Sequence, residues 1–346
     1  MEIGIHNYHK IYNLNNGVFN SEIYPFGENL EYPFVLLKKL FEDNRIEICT
    51  LDNYPISQFS KIIFLDYPRN IDLNDLREKG IKLYLIILES EIIRKENFVI
   101  QNHLLFENIF TWSDILIYED KTKYIKLNYC HKFPREIKKE LFSKKKTCTL
   151  IAGNKTNTDP RELYSERVKA IRWFEKNHST EFDLYGISWE KGEIKYSSNF
   201  IRKIKKVIKL FYRRVNSPFP SNKGKIESKK EILKGYKFAI CYENAKDIPG
   251  YITEKIFDCF FAGCVPIYLG APNISDFIPK ECYIDKNLFE TYEELYQYIS
   301  MMSESEYALY INAIERYLKS ENSNSFRGEY FAEIIFNKIF ECDEEK

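Results

Sequence analysis

The sequence has no apolar run long enough to cross a membrane. Its longest, IKLYLIIL at 81–88, has the length of a strand, whereas a spanning helix needs roughly 20 residues. It has no recognisable leader, because MEIGIHNYHKIYNLNN carries neither a basic n-region nor an apolar h-region. It has no net charge: 51 Lys and Arg balance 51 Asp and Glu, which excludes the basic footprint of a general nucleic-acid binder. None of the eight cysteines forms a CxxC pair, no D-x-D motif occurs, and His103, His131 and His178 are scattered. No metal site and no cofactor are therefore expected. The cysteines read as reduced, mostly buried thiols of a cytoplasmic chain. In that setting the N-x-S/T triplets at Asn154, Asn177 and Asn273 are coincidental. Internal repeats are absent, as are low-complexity tracts beyond short lysine runs.

What is present is apolar and aromatic. Of the 346 residues, 44% are hydrophobic and 16% aromatic, enough for two packed cores of ordinary size. Apolar spacing predicts a helix over 30–43, strands at 45–50 and 61–67, a helix from Leu73 closed by Gly80, a fully buried strand at 81–88, and another strand-like segment over 108–118. The charged stretch 134–147 reads as a linker. A second series follows, with strands at 147–153, 182–189, 237–244 and 264–270 and helices at 161–177 and 251–263. This βα rhythm predicts an α/β fold of GT-B architecture, two Rossmann-like domains facing across a cleft. The expected boundaries are 1–145 for an acceptor-binding domain and 146–325 for a nucleotide-sugar-binding domain. A C-terminal helix, 326–346, packs back on the first. The segment FIRKIKKVIKLFYRRV (200–215) has seven basic and no acidic residues. It reads either as a peripheral contact with the inner membrane face or as a solvated basic helix.

The stretch KFAICYENAKDIPGYITEKIFDCFFAGCVPIYLGAP (237–272) carries the chemistry. It reads as strand, loop, helix, strand, and ligands of open α/β sheets bind beyond the strands' carboxyl ends. Thr253 can cap a helix whose free N–H groups and positive dipole end suit a diphosphate. Lys255 adds a full charge, and the Glu254 carboxylate can accept bonds from a diol. On residue types alone, Glu254–Lys255 is equally an ordinary capping pair.

The pattern YKF…CYEN…GYITEK…D…G.VPIYLG resembles the C-terminal signature of the α-1,3/1,4-fucosyltransferases, glycosyltransferase family 10. TLIAGNKTNTDPRELYSERVKAIRWFE and FDLYGISW are similar to the opening of the donor domain in bacterial members, and LESEIIRKENF…FENIFTWSD resembles the acceptor-domain segment. The likeness covers about residues 80–300 and weakens toward the N-terminus. It implies GDP-fucose as donor and an oligosaccharide or glycolipid as acceptor. It further implies that Tyr251, Thr253, Glu254, Lys255 and Asn244 bind the donor. Arg167 corresponds to the arginine that neutralises the diphosphate, with Arg161 and Arg172 as neighbouring candidates. Charge on the leaving group is then balanced by Arg167, Lys255 and the helix end without a required metal.

An inverting transfer needs a carboxylate to take the acceptor's proton. Glu89 directly follows the apolar strand and matches the family's first-domain glutamate. Many members read G-E-N there, whereas this chain reads Leu88-Glu89-Ser90, and Glu91 is a second candidate. Trp112 either shapes the acceptor groove or packs in the core. The implied activity is α-1,3-fucosyl transfer to a GlcNAc- or Glc-containing glycan. A related enzyme using another nucleotide sugar and a silent glycan-binding protein are the competing readings. The acceptor, the choice between α-1,3 and α-1,4 linkage and the oligomeric state are not legible.

Overall fold

The computed structural model describes residues 2–20, 29–137, 142–191 and 218–344. The basic segment at 200–215 lies outside these. Contacts between residues divide the chain into two compact units. One holds Met1–Phe133, Ile248–Glu254 and Ser320–Lys346; the other holds Pro134–Asp247 and Lys255–Lys319.

The first unit is built on six strands: β1 (Glu2–Asn7), β2 (Glu47–Thr50), β3 (Phe59–Leu65), β4 (Lys82–Ile87), β5 (Ile109–Thr111) and β6 (Tyr124–Lys126). Their order is β2-β1-β3-β4-β5-β6, and every pairing is parallel. Both faces are covered, which explains why β3 and β4 read as unbroken apolar runs with nearly every side chain buried. One face carries Ile3, Ile5, Ile63, Tyr84 and Ile86 with Leu37 and Phe41 of the helix Tyr32–Asp43. Onto that helix packs the C-terminal helix Gly328–Glu344, with Phe34 edge-on to Phe331 at 5.1 Å and Phe41 to Phe336 at 5.2 Å. The buried Lys61 donates to the Ile339 carbonyl at 2.8 Å and ties the sheet to that helix.

Two readings change. The stretch 108–118 is not one strand: β5 ends at Thr111, and the helix Asp114–Glu119 follows. Ser113 supplies the reason, since its hydroxyl accepts from the Leu116 N–H at the helix start. The segment 248–254, read as part of the second series, belongs by its contacts to the first unit.

The second unit contains β7 (Lys146–Ile151), β8 (Phe182–Tyr185), β9 (Tyr236–Tyr242), β10 (Val265–Leu269) and β11 (Ile284–Asp285). Their order is β11-β10-β9-β7-β8, again all parallel. The helix Tyr164–Asn177 follows β7, and Glu254–Ala262 joins β9 to β10.

Candidate active site

A parallel sheet brings all its strand carboxyl ends to one edge, so residues distant in sequence meet there. In the first unit, Tyr8 follows β1, Asp66 follows β3, Glu89 lies two residues beyond β4, and Trp112 follows β5. The Asp66 Oδ1 accepts from the backbone N–H of Leu88 at 2.8 Å and of Glu89 at 3.0 Å. Asn97 donates to the same oxygen at 2.5 Å and to the Glu89 carbonyl at 3.1 Å. The Leu88 carbonyl accepts from Trp112 Nε1 at 3.0 Å and from the Tyr129 hydroxyl. The peptide that carries Glu89 is thus fixed on both sides. Its carboxylate is half-buried, and the Tyr8 hydroxyl donates to Oε1 at 3.3 Å. Arg94 lies 4.5 Å from the Tyr8 ring and donates to the Tyr67 carbonyl. Glu91 sits half-buried in the following turn.

The segment 248–254 meets the same edge. Gly250 has φ +81°, and a Cβ there would sit 2.3 Å from the Trp112 carbonyl oxygen, so only glycine fits. The turn presses Tyr251 against Trp112 (ring centroids 4.7 Å) and Tyr129 (6.3 Å). The Tyr129 hydroxyl is pushed well above its ordinary value, by burial first and then by Tyr251, Glu89, Asp66 and Glu254. Those groups therefore share one electrostatic neighbourhood. Trp112 is at once a buried core residue and the wall behind Tyr251. Thr253 is buried and immediately precedes the helix that starts at Glu254.

In the second unit, the loop after β7 runs antiparallel to the loop after β9. Leu163 N–H donates to the Asn244 carbonyl at 3.0 Å, and Lys246 N–H to the Arg161 carbonyl at 2.9 Å. Arg167, only 4% exposed, directs Nη2 to the carbonyls of Tyr242 (2.6 Å) and Glu243 (2.8 Å) and to Asn244 Oδ1 (3.1 Å). This guanidinium braces the turn that leaves β9. Arg161 is more open and pairs with Asp159 at 2.8 Å. Arg172 faces elsewhere, donating to the Pro218 carbonyl at 2.5 Å and lying 3.9 Å from the Phe219 ring. Lys255 pairs with the fully buried Glu243 at 3.2 Å. A small pocket, with room for little more than a water molecule, is lined by Arg167, Lys229, Lys255, Asp258, Tyr242 and Cys259 among others. Its lining carries three cations and one carboxylate, Asp258, which Lys229 engages at 2.8 Å. Among the described residues no cluster of His, Cys, Asp or Glu is placed to hold a metal ion.

The family model "Glycosyltransferase family 10 (fucosyltransferase) C-term" matches residues 141–331, more than half of the chain. This chain belongs to glycosyltransferase family 10. Of the residues implicated above, the match includes Arg167, Glu243, Asn244, Tyr251, Glu254 and Lys255, while Glu89 lies outside it. An α-(1,3)-fucosyltransferase of Helicobacter pylori is 31% identical over 139 residues, 37% of this chain and 28% of that one. An α-(1,4)-fucosyltransferase of Arabidopsis thaliana is 39% identical over 69 residues, 20% and 17% of the two chains. The human GDP-fucose protein O-fucosyltransferase 3 is 38% identical over 94 residues, 27% and 19%. The chain spans less than a third of the length of each of these relatives. Among solved structures, an α1,3-fucosyltransferase aligns over 97% of this chain and 89% of its own, with a TM-score of 0.54 and 14% identity. An α-glucosyltransferase in complex with UDP-glucose and DNA aligns over 98% and 99%, also at 0.54, with 13% identity. The family 10 chain thus has the GT-B fold class, two α/β units each on a parallel sheet. The family signature accounts for Asn244, Tyr251, Glu254 and Lys255. It does not point to Tyr8, Asp66, Asn97, Tyr129 or the role of Glu243, which emerge only from the pairing of strands.

Proposed function

We propose that the chain transfers L-fucose from GDP-β-L-fucose to a hydroxyl of a GlcNAc- or Glc-containing glycan, in α-1,3 linkage with inversion. The reading rests on family membership, and the fucosyltransferase names of its relatives support it. The observation that carries the mechanism is the placement of Glu89. It is held at a strand's carboxyl end by four hydrogen-bonding neighbours and presents a half-buried carboxylate. As the acceptor hydroxyl attacks the anomeric carbon from the face opposite the nucleotide, its proton passes to Glu89. The bond from that carbon to the diphosphate oxygen breaks, and negative charge gathers on GDP. The cationic lining around Lys255, together with the helix start at Glu254, is suited to stabilise that charge, as is Arg161 on its exposed loop. Arg167 serves the same end by shaping the loop that carries Asn244. Glu254 is assigned to the sugar or ribose hydroxyls, and Tyr251, buried against Trp112, serves the donor site by fixing the turn that precedes Glu254. The enzyme acts in the cytoplasm without a required metal, and the basic stretch 200–215 gives it a peripheral hold on anionic membrane.

The test is Glu89→Gln. The amide keeps the shape but cannot take a proton, so transfer should fall by about 10²–10⁴-fold while GDP affinity stays within twofold. Retained transfer in Glu89→Gln, with loss in Glu91→Gln, would move the base by two residues. Turnover of UDP- or CMP-sugars but not GDP-fucose would overturn the donor assignment.

A further inference from the structure

We propose that Asp66 is a positioning residue for the transfer reaction: it orients Glu89 through its backbone and, by placing a second carboxylate beside it, strengthens Glu89 as a proton acceptor. The proposal rests on the assignment of Glu89 as the base.

Three features of Asp66 are unusual together. It is fully buried yet carries a carboxylate. Its backbone is in the left-handed region, φ +62°, where non-glycine residues other than Asn and Asp are strained. Its two oxygens are treated differently. Oδ1 takes three hydrogen bonds, from Leu88, Glu89 and Asn97, whereas Oδ2 is buried and makes no hydrogen bond to any described residue. A carboxylate needed only to tie β3 to the turn after β4 would have no reason to bury a bare oxygen, since an asparagine or serine offers the same acceptor at lower desolvation cost.

The carboxyl is pushed up to about 7, by burial first and then by the charge of Glu89, against the opposing pull of the Leu88 and Glu89 N–H groups and Asn97. The repulsion is mutual, because two carboxylates in one neighbourhood titrate as a pair. An ionised Asp66 therefore makes it easier for Glu89 to accept the acceptor's proton. The other groups facing this pair come from several elements. Tyr8 follows β1 and bonds to Glu89, with its hydroxyl raised by burial and then by Glu89 and Asp66. Arg94 lies over the Tyr8 ring and opposes that rise. His9 stacks on Tyr8 at 4.0 Å, and burial and then Arg94 lower its pKa. Tyr129, Tyr251 and Glu254 share this neighbourhood. Among these described groups the acids outnumber the cations, and Arg94 is turned to the tyrosine ring and the Tyr67 carbonyl.

The experiment is Asp66→Asn, assayed as kcat and acceptor KM across pH 4.5–9 together with GDP titration. Asparagine tolerates the positive φ and keeps the Oδ1 acceptor, so the turn is retained. The expected result is a rise of wild-type kcat between about pH 6 and 8, as Asp66 ionises, that is missing from Asp66→Asn, whose rate above pH 8 is down about threefold to tenfold. Acceptor KM and GDP affinity should hold within twofold. A rise across pH 6–8 retained in Asp66→Asn would overturn the proposal, whatever happens to the rate above it. A second readout is independent of turnover: the midpoint of urea unfolding between pH 5 and 8. A native carboxyl raised from 3.8 to about 7 binds a proton the unfolded chain has lost. Wild-type stability should therefore fall as pH rises through that window. The fall should be smaller in Glu89→Gln, where the neighbouring charge is gone; an identical fall would overturn the coupling. If Glu89→Gln retains transfer, the base assignment fails first. If Glu89→Gln loses transfer and Asp66→Asn keeps the rise across pH 6–8, the Asp66 proposal alone fails.

Discussion

Replacing Lys255 by alanine should weaken the protein in two separable ways. The lysine is 20% exposed, and its Nζ lies 3.2 Å from Oε2 of Glu243, which is fully buried. Glu243 has little freedom to move away: the position of Gly270 is so close that a Cβ there would stand 2.5 Å from Glu243 Cγ. Breaking a buried pair costs roughly 3–5 kcal/mol, and the lysine's partial exposure puts the expectation at the low end, about 3 kcal/mol. For a unit of this size, that lowers the melting temperature by about 6–12 °C. The second effect is on the donor. A charge-assisted contact to phosphate is worth roughly 1.5–3 kcal/mol, or about 10- to 150-fold in GDP affinity. The two are distinguished by Glu243→Gln/Lys255→Met. This pair removes both charges, should recover most of the lost melting temperature, and should leave GDP binding weak. Calorimetric titration with GDP and thermal unfolding on the same preparations decide it. Unchanged melting and unchanged affinity in Lys255→Ala would refute both halves of the reasoning. Recovery of GDP affinity in the double variant would assign Lys255 a structural role alone.

Arg161→Ala should reduce GDP affinity about tenfold or more with little change in melting temperature. Arg167→Ala, which leaves two backbone carbonyls and the Asn244 oxygen without this donor, should lower stability by about 2–4 kcal/mol; the opposite ranking would return the diphosphate to Arg167. Gly250→Ala forces a Cβ against the Trp112 carbonyl at positive φ. It should cost about 1–3 kcal/mol and shift Tyr251 off the indole, read as reduced quenching or a changed near-ultraviolet dichroism signal. Transfer should persist in EDTA; complete loss restored only by a divalent ion would overturn the metal-free mechanism.

The legible parts of the fold are those where one local pattern dominates. IKLYLIIL could only be a strand covered on both faces, and β4 occupies Lys82–Ile87 within it. The helix predicted over 161–177 forms over Tyr164–Asn177, and Gly80 takes the positive φ expected of a residue closing a helix. The first strand escaped notice because EIGIHN mixes a glycine, a histidine and an asparagine into its six residues. Its burial comes from pairing with β2 and β3 on both sides rather than from its own composition. Missing β1 meant missing Tyr8. The stretch 108–118 misled because the helix Asp114–Glu119 is short, with three apolar side chains in its first four residues, so only the Ser113 cap distinguishes it from strand.

The site was legible to the extent that its residues share a segment. Asn244, Tyr251, Glu254 and Lys255 fall within one signature, and Glu89 could be placed because a buried strand ends just before it. What links them is non-local and leaves no trace in spacing. Asp66 lies 22 and 23 residues from the two N–H groups it accepts, and reaches them because β3 and β4 are parallel neighbours in register. Glu243 reads as one more polar residue in C-Y-E-N until burial and the 3.2 Å approach of Lys255 show a pair. Arg167 was singled out by its likeness to the family's arginine, and its guanidinium is turned to backbone carbonyl oxygens. In each case residue type suggested ligand chemistry, but the position of the neighbouring groups decided which way the side chain faces. The same holds for Asp66, whose Oδ1 faces three donors while its Oδ2 is a buried acceptor that no described residue engages.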